Sequence, residues 1–211
     1  MKKIIITIDG PAASGKERIA KYIAKKWKLK HLDSGILYRQ LALIILKKKI
    51  KHDNLFELRK IIKSKPELKL RKTKKIRSQE VSALTSTIAV YKFIREYINE
   101  KQRQIVKIKS NHRGFVIDGR DIGSVVFKNA DLKLFVYVSE KNRAKRRYKQ
   151  LIDSGEKSIY QKILKEIKLR DRQDKNRKHS PLVIPKGSHL IENNGSFIDT
   201  KKQINYLIRS I

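Results

Sequence analysis

Short apolar runs alternate along the chain with longer segments whose apolar residues recur at helical spacing. The first run, Lys3 to Ile8, is nearly continuous in β-branched isoleucine, which is typical of a strand buried on both faces of a parallel sheet. A glycine-bearing turn over residues 10–15 follows, and the apolar spacing then predicts a helix from about Lys16. This opening indicates a strand, a turn and a helix in direct succession.

The alternation continues to the end of the chain. We predict further strands at about residues 30–32, 115–118, 132–138 and 190–192. We predict helices over residues 36–48, in two segments of 78–110 broken near 89–92, over 140–152 and from 196. Asp53 is the expected N-cap of a short helix in the lysine-rich stretch 51–77, and Ser158 with Gln161 has the spacing of a capping box. Together these elements predict an α/β fold with a parallel, doubly wound sheet flanked by helices, whose ligands bind at the carboxyl ends of the strands.

Length and composition narrow the class of protein. With 211 residues, 39% of them hydrophobic, the chain suits one compact domain with a buried core. The absence of cysteine excludes a disulfide framework, a thiolate zinc site and a cysteine nucleophile, and it fits a cytoplasmic protein. The apolar run before Asp9 is shorter than the roughly 7–15 residues of a secretion signal or the about 20 of a membrane span, so we expect no membrane association.

The net charge of +33 admits two interpretations. A basic surface attracts nucleic acid through counterion release. Alternatively, lysine fills the solvent-facing positions by default, because the lysines are spread along the whole chain and aromatic residues make up only 7% of it. We favour the second interpretation, with the excess charge helping to attract nucleotides and no nucleic acid required.

The turn after the first strand has the spacing of a Walker A loop. Four residues separate Gly10 from Gly15, and Lys16 follows directly. Glycines let backbone N–H groups curl around a phosphate, the helix N-terminus adds a positive dipole, and the lysine adds a point charge. The predicted ligands of the ATP phosphates are therefore Gly10, Pro11, Ala12, Ala13, Ser14, Gly15, Lys16, Glu17 and Arg18.

The last two of these residues depart from the usual pattern. A serine or threonine hydroxyl is expected just after the lysine, where it helps to hold magnesium, but Glu17 and Arg18 stand there. A carboxylate beside a triphosphate is unfavourable unless it binds the metal or points away, and arginine cannot bind magnesium. The departure leaves phosphate binding intact and puts catalytic efficiency in question.

The loop and several later motifs resemble those of the bacterial cytidylate kinases, and the resemblance covers nearly the whole chain. The resemblance rests on Ile8–Lys16, on Leu32-Asp33-Ser34-Gly35-Ile36-Leu37-Tyr38-Arg39, on Ile76-Arg77-Ser78-Gln79-Glu80-Val81, on Asp118-Gly119-Arg120-Asp121-Ile122-Gly123, and on Arg170-Asp171-x-x-Asp174-x-Asn176-Arg177. It implies a P-loop NTPase fold in a single domain, with an acceptor-binding region at about 34–110 and a lid at about 143–160. It also implies transfer of the γ-phosphate of ATP to CMP or dCMP by a monomer.

The residues make chemical sense in that reaction. A monophosphate needs several cations around it, and arginine forks suit bidentate contact with phosphate. By resemblance Arg39, Arg120 and Arg170 are the acceptor-phosphate ligands, with Arg177 nearby, and Lys16, Arg120 and Arg170 are the catalytic residues. By resemblance too, Ser86, Arg95 and Asp121 read cytosine, Ser34 lies nearby, and Asp174 accepts from the ribose hydroxyls.

Other implications concern the lid, the metal and the alternatives. Arg143, Lys145, Arg146 and Arg147 lie where related kinases carry a lid over ATP, although a solvated basic helix explains them as well. The five histidines show no metal-ligand spacing, so we expect magnesium to arrive as MgATP rather than in a protein-only site. Two alternatives stay open: a small kinase with another acceptor, and a catalytically weakened kinase fold that acts as a basic RNA-binding protein.

Overall fold

The computed structural model of the chain describes residues 3–68, 70, 73, 75–108 and 112–209. Four residues of the predicted lysine-rich stretch and the end of the second helix predicted within 78–110 lie outside these ranges. The strands are β1 (Ile4–Asp9), β2 (Lys30–Asp33), β3 (Gly114–Gly119), β4 (Leu132–Tyr137) and β5 (His189–Glu192). The α-helices are α1 (Lys16–Trp27), α2 (Ser34–Lys47), α3 (Leu55–Lys63), α4 (Gln79–Ile88), α5 (Lys92–Lys107), α6 (Glu140–Asp153), α7 (Tyr160–Asn176) and α8 (Phe197–Ile208).

In the described part of the chain the strands form a five-stranded sheet in the order β2-β3-β1-β4-β5. The central strand β1 pairs in parallel with β3 on one side and β4 on the other, and β4 pairs in parallel with β5. The register places Asp9 opposite both Gly119 and Phe135, so the carboxyl ends of these strands lie at one edge. This confirms the predicted parallel sheet flanked by helices, with its ligand-binding edge where the turn of residues 10–15 begins.

The chain divides into two compact units, and the division falls within β2. The first unit comprises Met1–His31 with His112–Ile211, and its core packs residues of β1 and β4 against those of α1 and α8. Between α6 and α7 a separate small cluster forms around Ala144, Ile163 and Ile167. This unit therefore holds the sheet core and a helical hairpin with its own apolar contacts.

The second unit is Leu32–Asn111, and the elements described in it after β2 are helices. Its core joins apolar residues of α2, α3, α4 and α5. The bounds lie close to the region 34–110 for which we predicted acceptor binding, and that role stays a prediction. No helix in the described ranges is long and apolar enough to cross a membrane.

Two predicted helix starts are wrong, for local reasons. The cap of α3 is Asn54, whose side chain accepts from the Glu57 N–H, and not Asp53. The capping box at Ser158 does not form, because α7 begins at Tyr160 with Ile159 as its N-cap and no side-chain cap bond. In both cases the helix starts a residue or more later than the polar signal predicted, which is the usual error of cap assignment from sequence.

Candidate active site

The phosphate loop joins the end of β1 to the start of α1. Gly10 and Gly15 have φ angles of 150° and 86°, which side-chain-bearing residues rarely adopt. A Cβ on Gly10 would lie 2.6 Å from the Val136 carbonyl oxygen, and one on Gly15 would lie 2.7 Å from Nδ2 of Asn193. The loop therefore needs glycine at these positions for backbone geometry and for space.

Lys16 is the first residue of α1, and its side chain is folded back into the loop. Its Nζ donates to the Pro11 carbonyl oxygen at 2.7 Å and to Ser14 Oγ at 3.3 Å. Burial lowers the pKa of this amine well below its usual value, and the charge of Arg120 lowers it further. An anion in the loop would favour the charged amine, so the site has the electrostatics of a phosphate receptor.

The two unusual residues after Lys16 both have partners of their own. Glu17 pairs with Lys21 on the same helix at 2.8 Å. The Arg18 guanidinium lies 3.9 Å from the centre of the Phe197 ring, a close cation–π contact. Burial and the charge of Arg18 lower the pKa of Arg146, so these two arginines lie close enough to repel each other. Glu17 thus has the outward pairing that reduces conflict with a triphosphate, and Arg18 brings a second cation beside Arg146.

Asn193, which follows β5, supports the loop from its other side. Its Nδ2 donates to the Ser14 carbonyl oxygen at 2.8 Å, and its Oδ1 accepts from Thr200 Oγ1 at 2.9 Å. Arg146 donates to the Asn193 carbonyl oxygen at 2.6 Å. Sequence reasoning missed Asn193, because only the pairing of β5 with β4 brings it to the loop.

After β3, Arg120 lies in a cluster with two residues of the segment at the end of α7. Its Nε donates to Asp174 Oδ2 at 3.0 Å, and Arg177 Nη1 donates to Asp174 Oδ1 at 3.2 Å. Burial alone would raise the pKa of Asp174, but the charges of Arg120, Arg177 and Arg170 hold it below its usual value. The structure thus brings together four residues that we predicted as ligands of one nucleotide, with more positive than negative charge.

Asp121, predicted to read cytosine, is buried at the start of a π-helical turn over Ile122–Val126. The amides of Ile122 and Gly123 in this turn donate to the carboxylate of Asp9, the last residue of β1. On β3 itself, Asp118 Oδ1 lies 2.6 Å from Nε2 of His31. We had predicted no role for Asp9 or His31.

In the second unit, Ser34 opens α2 and the predicted ligands Arg39, Ser86 and Arg95 occupy α2, α4 and α5. Arg39 Nη1 donates to Ser82 Oγ at 2.6 Å, and Ser86 Oγ donates to the Ser82 carbonyl oxygen at 3.3 Å. Ser82 thereby links Arg39 to Ser86.

Arg95 is 3% exposed, and its Nη1 donates to the Ala89 carbonyl oxygen at 3.0 Å. Its guanidinium also lies 5.7 Å from the centre of the Tyr38 ring. The backbone bond and the ring contact hold this buried arginine at a fixed position in the unit, as a base-reading residue requires. Its contact with cytosine stays a prediction.

Arg143 has a different position from the one expected for a lid residue. It is 2% exposed and forms a two-pronged ion pair with Asp171, with Nη1–Oδ1 at 2.9 Å. It also donates to the carbonyl oxygens of Val138 and Ala12. Arg143 therefore ties α6, α7 and the phosphate loop together from inside the protein.

Among the described residues, no group of three or more His, Asp or Glu side chains is arranged to hold a metal ion.

Comparison with known proteins identifies the family to which this chain belongs. The profile of the cytidylate kinase family matches residues 6–205. A cytidylate kinase of Fusobacterium nucleatum is 36% identical over 100% of this chain and 98% of its own, and one of Rickettsia africae is 40% identical over 93% and 84%. A crystal structure of shikimate kinase from Bacteroides thetaiotaomicron matches 97% of this chain and 95% of its own at 11% identity, with a TM-score of 0.48.

Proposed function

The chain belongs to the cytidylate kinase family, and on that premise we propose that it transfers the γ-phosphate of ATP to CMP or dCMP, giving ADP and CDP or dCDP. The observation that carries the proposal is the match over residues 6–205, which spans the phosphate loop and the cluster around Asp174. The RNA-binding alternative is not favoured, because a family of enzymes accounts for nearly the whole chain.

ATP binds with its β- and γ-phosphates in the loop Gly10–Lys16. The buried amine of Lys16 supports this role, because only a nearby anion offsets the cost of its charge. The backbone N–H groups at the start of α1 and the helix dipole add to the attraction. Glu17 and Arg18 flank the phosphates, with Arg18 held by the Phe197 ring.

CMP binds through its phosphate to Arg39, Arg120 and Arg170, with Arg177 beside them. The charges of Arg120, Arg170 and Arg177 around Asp174 support the assignment, since arginine forks suit bidentate contact with a phosphate. Asp174, which here accepts from Arg120 and Arg177, is assigned to the ribose hydroxyls. Arg95, Ser86 and Asp121 read the base, with Ser34 nearby.

The chemical step is an in-line displacement. A phosphate oxygen of CMP attacks the γ-phosphorus, the new P–O bond forms as the bond to the β-phosphate oxygen breaks, and ADP leaves. No covalent enzyme intermediate is required, because catalysis of phosphoryl transfer rests on positioning and on neutralising charge. Lys16, Arg120 and Arg170 supply that charge at the oxygens of the moving group.

Magnesium enters as MgATP in this proposal. The position that usually offers a hydroxyl carries Glu17, paired with Lys21, and Arg18, stacked on Phe197. These side chains do not form a magnesium site as they are placed, so the nucleotide phosphates and water would hold the ion. We assign no step of the reaction to protein-bound metal.

The absence of cysteine fits a cytoplasmic protein, and the family resemblance supports a monomer.

A coupled ADP-release assay with MgATP and CMP, dCMP, UMP or AMP tests the proposal. We expect turnover selective for CMP and dCMP. The double variant Glu17→Gly/Arg18→Thr should turn over about tenfold faster, because it removes the carboxylate near the triphosphate and adds a hydroxyl that can help to hold magnesium, and tenfold corresponds to about 1.4 kcal/mol of barrier. Lys16→Met, which keeps the loop but removes its charge, is the inactive control. Failure of both wild type and double variant with every acceptor would refute the kinase assignment and leave salt-sensitive RNA binding to be measured.

A further inference from the structure

Asp9 is a fully buried carboxylate at the end of β1, directly before the phosphate loop. Its Oδ1 accepts the N–H of Ile122 at 2.8 Å, and its Oδ2 accepts the N–H of Gly123 at 2.7 Å. Each carboxylate oxygen therefore accepts a hydrogen bond from one backbone amide. The bonds join residues 113 and 114 positions apart in the chain.

These bonds connect the two substrate-binding segments of the first unit. At one end Asp9 is the neighbour of Gly10, where the phosphate loop starts. At the other end Ile122 directly follows Arg120 and Asp121, which we assign to the phosphate and the base of CMP. We propose that Asp9 is a positioning residue, whose carboxylate fixes Arg120 and Asp121 relative to the phosphate loop and so sets the distance between acceptor and donor.

The packing around Gly123 leaves this connection little freedom. A Cβ there would lie 2.8 Å from Thr7 Oγ1, 3.2 Å from Asp9 Oδ2 and 3.3 Å from Pro185 Cγ. A glycine is thus required for the amide to approach the carboxylate. In-line transfer depends steeply on alignment, and a displacement of about 1 Å can cost on the order of 100-fold in rate.

A carboxylate is the side chain that this geometry requires. Asparagine at position 9 would present one acceptor and one NH₂ donor, so one of the two amides would face another donor. Alanine would offer the two amides no side-chain acceptor at position 9. Burial of the charged carboxylate is unfavourable in itself, and the two bonds to the amides offset part of that cost.

The electrostatics of the site make the connection sensitive to acid. Burial outweighs the lowering effect of the Gly123 and Ile122 amides and raises the pKa of Asp9 to about 6. Of the charged groups that act on Asp9, Asp121 raises its pKa and Lys16 lowers it. Protonation turns one oxygen into a donor and releases one amide, so alignment should be lost as the pH falls below about 6.

The test compares Asp9→Asn with Asp131→Asn, and it rests on the proposed function. Asp131 is the matched control, because its carboxylate also accepts a backbone amide, that of Ile5 at 2.9 Å, but is exposed. For Asp9→Asn we expect kcat to fall by about 10- to 100-fold with the KM for ATP changed less than about twofold. The acid limb of the kcat profile near pH 6 should weaken in this variant and persist in Asp131→Asn. Titration of the substrate phosphates is common to all three proteins and cancels in the comparison.

A second variant covers the case in which Asp9→Asn does not fold. Gly123→Ala keeps the carboxylate but lengthens its bonds to the amides, which lower the pKa of Asp9, so the acid limb should move to higher pH. Near-wild-type kcat and an unchanged acid limb in either folded variant would overturn the proposal.

An NMR titration separates this proposal from the proposed function. The amide resonance of Gly123 should titrate near pH 6 in the wild type and not in Asp9→Asn. A wild type without CMP turnover would refute the proposed function alone. An amide that does not titrate in the wild type would refute the connection through Asp9.

Discussion

Two arginine–aspartate clusters meet on α7, with their acids three residues apart, and they differ in burial and in charge. Arg143 and Asp171 are 3% and 7% exposed in their side chains, and one charge balances the other. Arg120 and Asp174 are 21% and 15% exposed, and Arg177 adds a second positive charge to the same carboxylate. The first cluster is neutral and closed to solvent, whereas the second is partly open and carries excess positive charge.

The difference distinguishes an arginine that holds the fold from one that we propose as a phosphate ligand. Arg143 directs Nε to the Val138 carbonyl and its two terminal nitrogens to Asp171, with Nη1 also bonded to the Ala12 carbonyl. Arg120 has one strong bond, to Asp174, and a longer one of 3.4 Å to the Gly119 carbonyl. An incoming phosphate can therefore recruit Arg120 at little cost, while Arg143 would have to give up a buried partner.

The largest expected effect is a loss of folding stability in Arg143→Met, a change that keeps the side-chain volume and removes the charge. Asp171 would be left buried without its partner, which typically costs about 3–5 kcal/mol. Urea unfolding should show this loss, and Arg147→Met, the same change at an exposed residue of α6, should cost less than about 0.5 kcal/mol. Equal losses in the two variants would contradict the structural role of Arg143.

The opposite pattern is expected for Arg120→Met, with a large effect on catalysis and a small one on stability. Loss of one charge-stabilising donor typically costs about 2.7–4 kcal/mol of transition-state stabilisation, or roughly 100- to 1,000-fold in kcat. The partly exposed pair with Asp174 should contribute no more than about 1 kcal/mol to folding. Steady-state kinetics with CMP, beside urea unfolding, measures both. Arg172→Met, at an exposed position of α7, should leave both unchanged. A stable variant with wild-type kcat would remove Arg120 from the reaction.

The sequence alone predicted the order of strands and helices, the phosphate loop and the charged run of α7. These features depend on local periodicity and on glycine spacing, which are visible along the chain. It did not distinguish Arg143 as a structural residue from Arg147 as a solvent-facing one, because both lie in one basic helix and only its packing against α7 buries Arg143. The contact of Asp9 with Gly123 was equally hidden, since it requires the parallel pairing of β1 with β3.

The smallest expected effect is on the folding stability contributed by Asp174, in the partly open cluster, and on how that contribution changes with pH. The folded state holds the pKa of Asp174 below its usual value of 3.8, because the nearby arginines outweigh the effect of burial. A carboxylate with a depressed pKa stabilises the fold at pH values above 3.8, and this contribution is lost as the pH falls through the folded-state pKa. Asp174→Asn should therefore be less stable than the wild type at neutral pH, by no more than about 1 kcal/mol for a partly exposed pair.

The stability difference between wild type and Asp174→Asn should stay constant from neutral pH to about pH 5 and shrink below about pH 4, where the unfolded chain takes up the proton first. Other titrating groups, including Asp9, are present in both proteins and cancel in the difference. Urea unfolding at a series of pH values measures this, with the exposed Asp153→Asn as the control that should show no such trend. A difference that grew on acidification would mean that Asp174 is not stabilised by its arginines. The open cluster would then lack the excess positive charge that distinguishes it from the closed one.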